Sequence, residues 1–205
     1  MARLLSFSPD DHVYEVDGEI IPSVSEVIRF ITREIYTEVD QATLDRAADR
    51  GTRAHKATEV LDKYGEVDCD DDIIPYVTAY INFRAEHGCE WDKIEWSGYD
   101  PERKVAGTID RCGIIDGKVT ILDVKTTYTV HKQAVTAQLT LYKMICESCG
   151  INVDKLAVLQ LKKDGDYKLI YIDERRDVAE ACLTLHRLME KKRRKKSGTG
   201  KTEGC

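Results

Sequence analysis

The alternation of apolar and polar residues is clearest in two β-rich runs, residues 105–115 and 119–126. The dipeptide Asp116-Gly117 separates these runs. Asp-Gly between two such runs is a strong signal for a tight hairpin turn, because the turn requires a backbone conformation that these residues adopt readily. The sequence therefore predicts a β-hairpin in the middle of the chain.

The strands of this hairpin carry charged residues whose relative positions follow from the turn. A two-residue turn places Ile115 near Lys118, and Asp110 then lies roughly opposite Asp123, within one or two residues of register. Asp123 and Lys125 are two residues apart, so they point to the same face of their strand. Burying carboxylates side by side is costly unless a cation lies between them, and a hard divalent ion is the expected partner.

Other periodic segments surround the central hairpin. A second Asp-Gly dipeptide predicts an N-terminal hairpin over residues 12–21. The predicted helices are a short one capped by Ser23 or Ser25 and ending near residue 32, and longer ones over about 40–63, 72–87, 130–149 and 175–192. Further strands are predicted over 89–97, 155–162 and 167–172, with a loop over 98–102. This order predicts an α/β fold in which helices flank a central mixed β-sheet.

Length and composition fit a single domain. The chain has 205 residues and 42% hydrophobic content, which is enough for one sizeable core. We expect one domain over residues 1–190, with its core at about 89–173, and a basic, disordered tail over 191–205. No segment has the roughly 18 to 20 apolar residues of a membrane span, and the apolar start is too short for a secretory signal. A cytoplasmic protein without a membrane partner is therefore predicted.

Charge is distributed unevenly along the chain. Residues 191–205 hold seven basic residues and one acidic residue, which leaves 24 basic and 36 acidic residues in 1–190, a formal net charge of −12. A body this acidic is unusual for a nucleic-acid-binding protein. Binding to a polyanion would have to depend on a local basic groove, on the basic tail, or on a bound cation.

Four short motifs follow one another along the chain. They are Arg50-Gly51-Thr52-Arg53-Ala54-His55, Gly107-x-x-Asp110, Asp123-x-Lys125 and Gln138-x-x-x-Tyr142. Together they resemble the signature of the PD-(D/E)XK nucleases, in the RecB-like exonuclease branch of phage, prophage or bacterial type. Each motif alone is weak, but their order and spacing fit one domain. The resemblance spans roughly residues 20–173.

This resemblance implies a restriction-endonuclease-like core and assigns a role to each motif. Asp110, Asp123 and Lys125 would be catalytic, with the lysine orienting the attacking water and offsetting charge at phosphorus. One or two Mg²⁺ or Mn²⁺ ions would be held by His55, Asp110, Asp123 and the backbone carbonyl of Val124. The implied chemistry is metal-assisted hydrolysis of a phosphodiester bond.

The same resemblance gives roles to residues outside the catalytic motifs. Gln138 and Tyr142 share a helix face, and the family element that they match hydrogen-bonds the DNA backbone or a terminal phosphate. Glu95 resembles an acid that some members place on the preceding strand, but Glu90 competes with it, and a surface role for Glu95 is about equally supported. Like Arg50, Arg53 is either a phosphate contact or an ordinary solvated arginine.

An iron–sulfur cluster is not expected, although some nucleases of this family carry one. Such a cluster needs four thiolates, with three of them grouped near the C-terminus. The pair Cys146 and Cys149 lies within a predicted helix, and only Cys182 and Cys205 follow it.

The resemblance thus implies a Mg²⁺- or Mn²⁺-dependent deoxyribonuclease, preferentially an exonuclease acting on linear DNA ends in phage or bacterial recombination and repair. A recombination protein is an expected partner. Three alternatives stay open: a catalytically silent nucleic-acid-binding module on the same fold, a structure-specific endonuclease, and an α/β protein unrelated to nucleic acids, which the acidic body would suit.

Overall fold

The computed structural model describes residues 5–8, 11–35 and 39–198. The strands are β1 (Leu5–Ser8), β2 (Val13–Val16), β3 (Glu19–Ile21), β4 (Glu90–Asp100), β5 (Val105–Ile115), β6 (Lys118–Lys125), β7 (Lys155–Leu161) and β8 (Tyr167–Ile172). The helices are α1 (Val24–Val27), α2 (Arg29–Ile35), α3 (Gln41–Tyr64), α4 (Ile74–His87), α5 (Lys132–Ser148) and α6 (Arg176–Gly198).

The central sheet has five strands in the order β4-β5-β6-β7-β8. Neighbouring strands are antiparallel except β6 and β7, which are parallel and are joined by α5. A parallel pair requires a crossover of this kind, because the chain must return to the same end of the sheet. The predicted α/β fold with a central mixed sheet flanked by helices is confirmed.

Helices cover both faces of this sheet and enclose two apolar cores. On one face Ile121 packs with residues of α1, α5 and α6, including Leu141 and Leu183. On the other face Leu122 packs with residues of α3 and α4, including Tyr80. Consecutive residues of β6 therefore serve opposite cores, as the two-residue period of a strand requires.

The N-terminal hairpin belongs to a separate three-stranded antiparallel sheet, β1-β2-β3. The sequence predicts β2 and β3 but not β1, which lies outside the hairpin that the second Asp-Gly dipeptide marks. This sheet joins the central domain at Ala106, whose N–H donates a hydrogen bond to the Pro22 carbonyl at 3.0 Å. Ala106 is fully buried against Tyr14 and Ile21.

The central hairpin has the predicted register. Ile115 pairs with Lys118, and the ladder continues to Arg111 and Leu122. At the turn, Asp116 has a φ of 49° and Gly117 a φ of 73°. Two consecutive positive φ values are typical of the tight turn that matches strand twist, which explains the Asp-Gly dipeptide.

Two predicted boundaries in the body of the chain are wrong. The loop expected over 98–102 is shorter, since β4 continues to Asp100, which pairs with Val105. The helix expected to reach residue 32 is interrupted at Ile28, where α1 ends and α2 follows. Ser23 caps α1 as expected, in a reciprocal pair of hydrogen bonds with Glu26.

The last helix is longer than predicted. It continues through the basic run to Gly198, so residues 191–198 of the tail expected to be disordered are helical. Residues 199–205 lie outside the described part of the chain. Among the residues that the structure describes, none of the helices has both the length and the apolar content of a membrane span.

Candidate metal centre

The hydrogen-bonded ladder between β5 and β6 ends at Arg111 and Leu122. Asp110 and Asp123 are the next residues beyond this last pair, within the one or two residues of register that the sequence predicts. The Asp110 side chain extends towards β6, where its Oδ2 accepts a hydrogen bond from the Val124 N–H at 2.7 Å. A carboxylate is therefore fixed at the open end of the hairpin, the end away from the turn.

Helix α3 brings His55 to the same place. The small residues Ala54 and Thr58 are fully buried, so α3 lies close against the sheet. His55 Nε2 lies 2.8 Å from the Val124 carbonyl oxygen. Because a carbonyl only accepts, Nε2 is the donor and carries a proton. The other ring nitrogen, Nδ1, lies 3.5 Å from Asp110 Oδ2.

Glu95 on β4 completes a group of three. Its Oε1 lies 3.9 Å from His55 Nδ1, and the ligand atoms of His55, Glu95 and Asp110 all lie within 4.8 Å of one another. Glu95 has a φ of 48°, which is rare for a residue other than glycine within a strand. The sequence left Glu95 undecided between the centre and the surface; the structure places it in the group.

The charges of this group act strongly on His55. Burial lowers the pKa of the imidazole, but the carboxylates of Asp110 and Glu95 outweigh burial and raise the pKa to about 9. The imidazole therefore carries a proton near neutral pH in the absence of a cation. A cation that binds at Nδ1 would displace that proton, as metals generally do at histidine ligands.

Asp123 lies beside the group and has different partners. Its side chain is almost fully buried, and Oδ1 accepts hydrogen bonds from Lys125 Nζ at 2.9 Å and from Gln138 Nε2 at 3.1 Å. Oδ2 is ion-paired with Lys125 Nζ at 2.8 Å and is buried, but it accepts no hydrogen bond from the residues that the structure describes. Burial raises the pKa of Asp123 despite the nearby ammonium group.

Gln138 and Tyr142 project from α5 towards Asp123. Gln138 Nε2 contacts the Tyr142 hydroxyl at 3.3 Å as well as the Asp123 carboxylate. Tyr142 is 6% exposed, and burial raises the pKa of its hydroxyl well above the usual value. A Cβ atom at Gly107 would lie 2.7 Å from the Tyr142 ring, so glycine is required there for α5 to approach β5. Contact of Gln138 and Tyr142 with DNA stays a prediction.

The Val124 carbonyl, which the family resemblance assigns to the cation, accepts the hydrogen bond from His55. Metal-bound histidines commonly donate their second N–H to a backbone carbonyl, which fixes the ring orientation. In this arrangement His55 would offer Nδ1 to the cation while Val124 holds the ring.

Sequence reasoning missed the charged residues next to this group. Arg111 is fully buried and hydrogen-bonds Glu95 and Asp62, and the Asp62 side chain is also fully buried. The available signal was a basic residue within an otherwise apolar strand, directly after Asp110. Its partner Asp62 could not be identified, because an acidic residue near the end of a long helix is usually exposed.

Arg53, one of the two arginines considered for phosphate contacts, is already paired with carboxylates. Its guanidinium group binds Asp49 at 2.9 Å, Asp70 at 3.0 Å and Asp72 at 2.7 Å. Asp70 and Asp72, which precede α4, are therefore ion-paired with α3 through Arg53.

The donor set fits a hard divalent cation. Two carboxylates and an imidazole converge, all partly buried, and they lie beside a buried carboxylate oxygen without a hydrogen bond. Carboxylate oxygens suit Mg²⁺ and Mn²⁺, and an imidazole nitrogen suits the transition metals better. The residues that could hold the ion are therefore His55, Glu95 and Asp110, with Asp123 adjacent.

Comparisons with known proteins found similarity at the level of structure. No protein-family model and no curated protein matches the chain. An alkaline exonuclease (LHK-Exo) from Laribacter hongkongensis is 10% identical, covering 86% of this chain and 93% of that chain, with a TM-score of 0.44. The structure of LHK-Exo in complex with dAMP is 11% identical, covering 88% of this chain and 95% of that chain, with a TM-score of 0.44. The crystal structure of SSO0001 is 15% identical, covering 82% of this chain and 74% of that chain, with a TM-score of 0.41. The solved structures that this chain resembles thus include an alkaline exonuclease.

Proposed function

We propose that this protein is a divalent-metal-dependent deoxyribonuclease of the RecB-like PD-(D/E)XK type, acting as an exonuclease on linear DNA. The observation that carries the proposal is the convergence of His55, Glu95 and Asp110 beside Asp123 and Lys125, at the open end of one hairpin. The first three groups offer ligands for a cation. The ammonium group of the lysine supplies a fixed positive charge next to them.

In this proposal, one set of residues binds the cation and Lys125 acts on the attacking water. A divalent cation bound there would act as a Lewis acid towards a phosphodiester oxygen. His55, Glu95 and Asp110 would hold the cation, and the Val124 carbonyl orients the imidazole. Lys125, fixed by Asp123, orients the attacking water and offsets the negative charge that develops at phosphorus.

Preference for an exonuclease rests on the motif formed by Gln138 and Tyr142, which resembles an element of end-processing enzymes. Gln138 already bonds to Asp123, so contact with a terminal phosphate would lie directly beside the catalytic carboxylate. We propose one domain over residues 1–190 and, from the resemblance of its motifs, a setting in bacterial or phage DNA recombination or repair with a recombination protein as partner.

The experiment compares linear and covalently closed circular DNA in parallel. Purified protein is incubated with each substrate in Mg²⁺, in Mn²⁺ and in EDTA, and products are resolved on gels. The proposal predicts degradation of the linear DNA with either metal, no degradation in EDTA, and an intact closed circle.

The alternative functions give different results when the same protein is also tested for retention of DNA at low salt. A structure-specific endonuclease would open circles that contain its target structure. A silent binding module would retain DNA but leave both substrates intact. Failure to retain any DNA at low salt would favour a protein unrelated to nucleic acids and would overturn the proposal.

A further inference from the structure

A fully buried arginine lies next to the candidate metal centre, on the face of the sheet covered by α3 and α4. Arg111 Nε donates to Asp62 Oδ2 at 2.6 Å, and Nη2 donates to Thr58 Oγ1 at 3.3 Å. Nη1 donates both to Glu95 Oε1 at 3.0 Å and to the Asp110 carbonyl at 2.6 Å. Every nitrogen of the guanidinium group is therefore hydrogen-bonded.

Two of these hydrogen bonds connect Arg111 to the centre itself. One nitrogen, Nη1, binds the Glu95 side chain and the Asp110 backbone, which come from adjacent strands. A guanidinium group is planar and rigid, so it fixes the spacing between the groups that it binds. Lysine, with a single ammonium group on a flexible stem, cannot reproduce this geometry.

The backbone of Glu95 indicates why such a support is needed. Its φ of 48° directs the side chain differently from that of a regular strand residue. The carboxylate meets Arg111 and lies 3.9 Å from His55 Nδ1. Residues in this region of backbone space persist only when their surroundings hold them, and they are common at functional sites.

A second carboxylate, that of Asp62, forms an ion pair with Arg111. The Asp62 side chain is fully buried and binds Arg111 at 2.6 Å and Arg84 at 2.8 Å. It also accepts a hydrogen bond from the Tyr80 hydroxyl at 2.6 Å. Asp62 therefore holds the guanidinium group at Nε, while Nη1 donates to Glu95.

We infer that Arg111, supported by Asp62, is a positioning residue that holds Glu95 and Asp110 at the spacing required for cation binding. The inference rests on the proposed function, because it takes these two acids as ligands. Arg111 is not itself a ligand, since its positive charge would repel a cation. It acts through the two groups that it fixes.

The test measures Mn²⁺ binding to the full, metal-stripped chain by isothermal titration calorimetry. We expect Arg111→Lys to weaken the affinity about 10- to 100-fold, the range typical of groups that orient metal ligands. Arg103→Lys is the matched control. Arg103 also binds carboxylates, Glu180 through Nε at 2.9 Å and both Asp100 at 3.0 Å and Glu102 at 3.6 Å through Nη1, but none of them belongs to the centre. Its Mn²⁺ affinity should equal that of the wild type.

Further readouts separate positioning from a purely structural role. Both variants should unfold at lower temperature than the wild type, but only Arg111→Lys should require more Mn²⁺ for half-maximal DNA cleavage. Its rate should recover as Mn²⁺ approaches saturation. A folded Arg111→Lys variant that binds Mn²⁺ like the wild type would overturn the inference while leaving the proposed function intact.

Two other outcomes are also decisive. If the wild type binds no Mn²⁺, both the proposed function and this inference fail. If Arg111→Lys does not fold, Asp62→Asn takes its place. This variant leaves Glu95 as the remaining charged partner of Arg111 among the contacts described, so Mn²⁺ affinity should again fall. Unchanged affinity in Asp62→Asn would then refute the positioning role.

Discussion

The two ends of the β5–β6 hairpin each bring a histidine close to an aspartate. At the turn, His87 Nδ1 lies 2.8 Å from Asp116 Oδ2. At the open end, His55 Nδ1 lies 3.5 Å from Asp110 Oδ2. The closer contact is therefore at the turn, so distance between a histidine and an acid does not identify a functional site.

Burial and convergence distinguish the two ends. The Asp116 side chain is 51% exposed, whereas that of Asp110 is 13% exposed. Among the described residues, the one group of at least three possible ligands is the open-end group with Glu95. An exposed pair contributes about 0 to 1 kcal/mol and needs no further partner. Converging, partly buried carboxylates are costly unless a cation or a network of donors compensates them.

The largest expected difference concerns DNA cleavage after removal of one carboxylate charge at each end. Asp110→Asn should reduce cleavage of linear DNA by at least about a hundredfold, because it removes a cation ligand and electrostatic stabilisation at the reacting phosphate. Asp116→Asn should keep the wild-type rate, since asparagine also tolerates the positive φ of the turn. Initial rates on end-labelled duplex give the comparison.

Equal loss in both aspartate variants would show that the hairpin needs its acids for folding rather than for chemistry. Far-UV circular dichroism on both proteins provides the folding control. Undiminished cleavage by Asp110→Asn, in preparations free of contaminating nuclease, would exclude Asp110 from the centre.

The histidines give the second comparison. His55→Gln should raise the Mn²⁺ concentration for half-maximal cleavage about tenfold or more, because the variant loses an imidazole ligand. His87→Gln should leave this concentration unchanged. Cleavage rates of the two variants are measured across a Mn²⁺ titration. Identical titration curves for His55→Gln and His87→Gln would assign His55 a structural role.

Stability in the presence of metal gives a smaller effect that does not depend on DNA. At about 100 times its Kd, Mn²⁺ should increase the free energy of unfolding by about 2.7 kcal/mol in the wild type and in Asp116→Asn. Asp110→Asn should gain much less. Urea unfolding with and without Mn²⁺ measures the difference, and equal gains in all three proteins would place the cation elsewhere.

The smallest effect concerns the basic C-terminal run. Truncation after Glu190 removes seven basic residues. For every phosphate that the run no longer neutralises, the log–log salt dependence of DNA binding should flatten by about 0.7 to 0.9. Hydrolysis should persist, because no residue of the centre lies beyond Glu190. Binding to a short duplex in metal-free buffer across a salt series tests this. Equal slopes would show that the run does not bind phosphates.

Local features of the site could be predicted from the sequence because they depend on short-range geometry. The Asp116-Gly117 turn sets the register, which runs to Arg111 and Leu122 and brings Asp110 within hydrogen-bond distance of the Val124 N–H. The two-residue period places Lys125 beside Asp123, where the structure finds their contact at 2.9 Å. None of these relations requires knowledge of how helices pack on the sheet.

Features that depend on packing between distant segments could not be predicted. The contact of Arg111 with Asp62 joins residues 49 positions apart, and no pattern in either segment points to the other. The positive φ of Glu95 likewise reflects surroundings that hold it rather than a preference of glutamate. The loop expected from Gly98 onward is shorter in the structure, because pairing with β5 outweighs the low strand propensity of glycine.

The proposed function requires a divalent cation at the open end of the hairpin. A crystal structure of the protein soaked in Mn²⁺, with anomalous diffraction data to locate the ion, tests this requirement directly. We expect an anomalous peak within coordination distance of His55 Nδ1 and of the Glu95 and Asp110 carboxylates. A crystal that shows no peak there, or that shows Mn²⁺ between His87 and Asp116 instead, would contradict it.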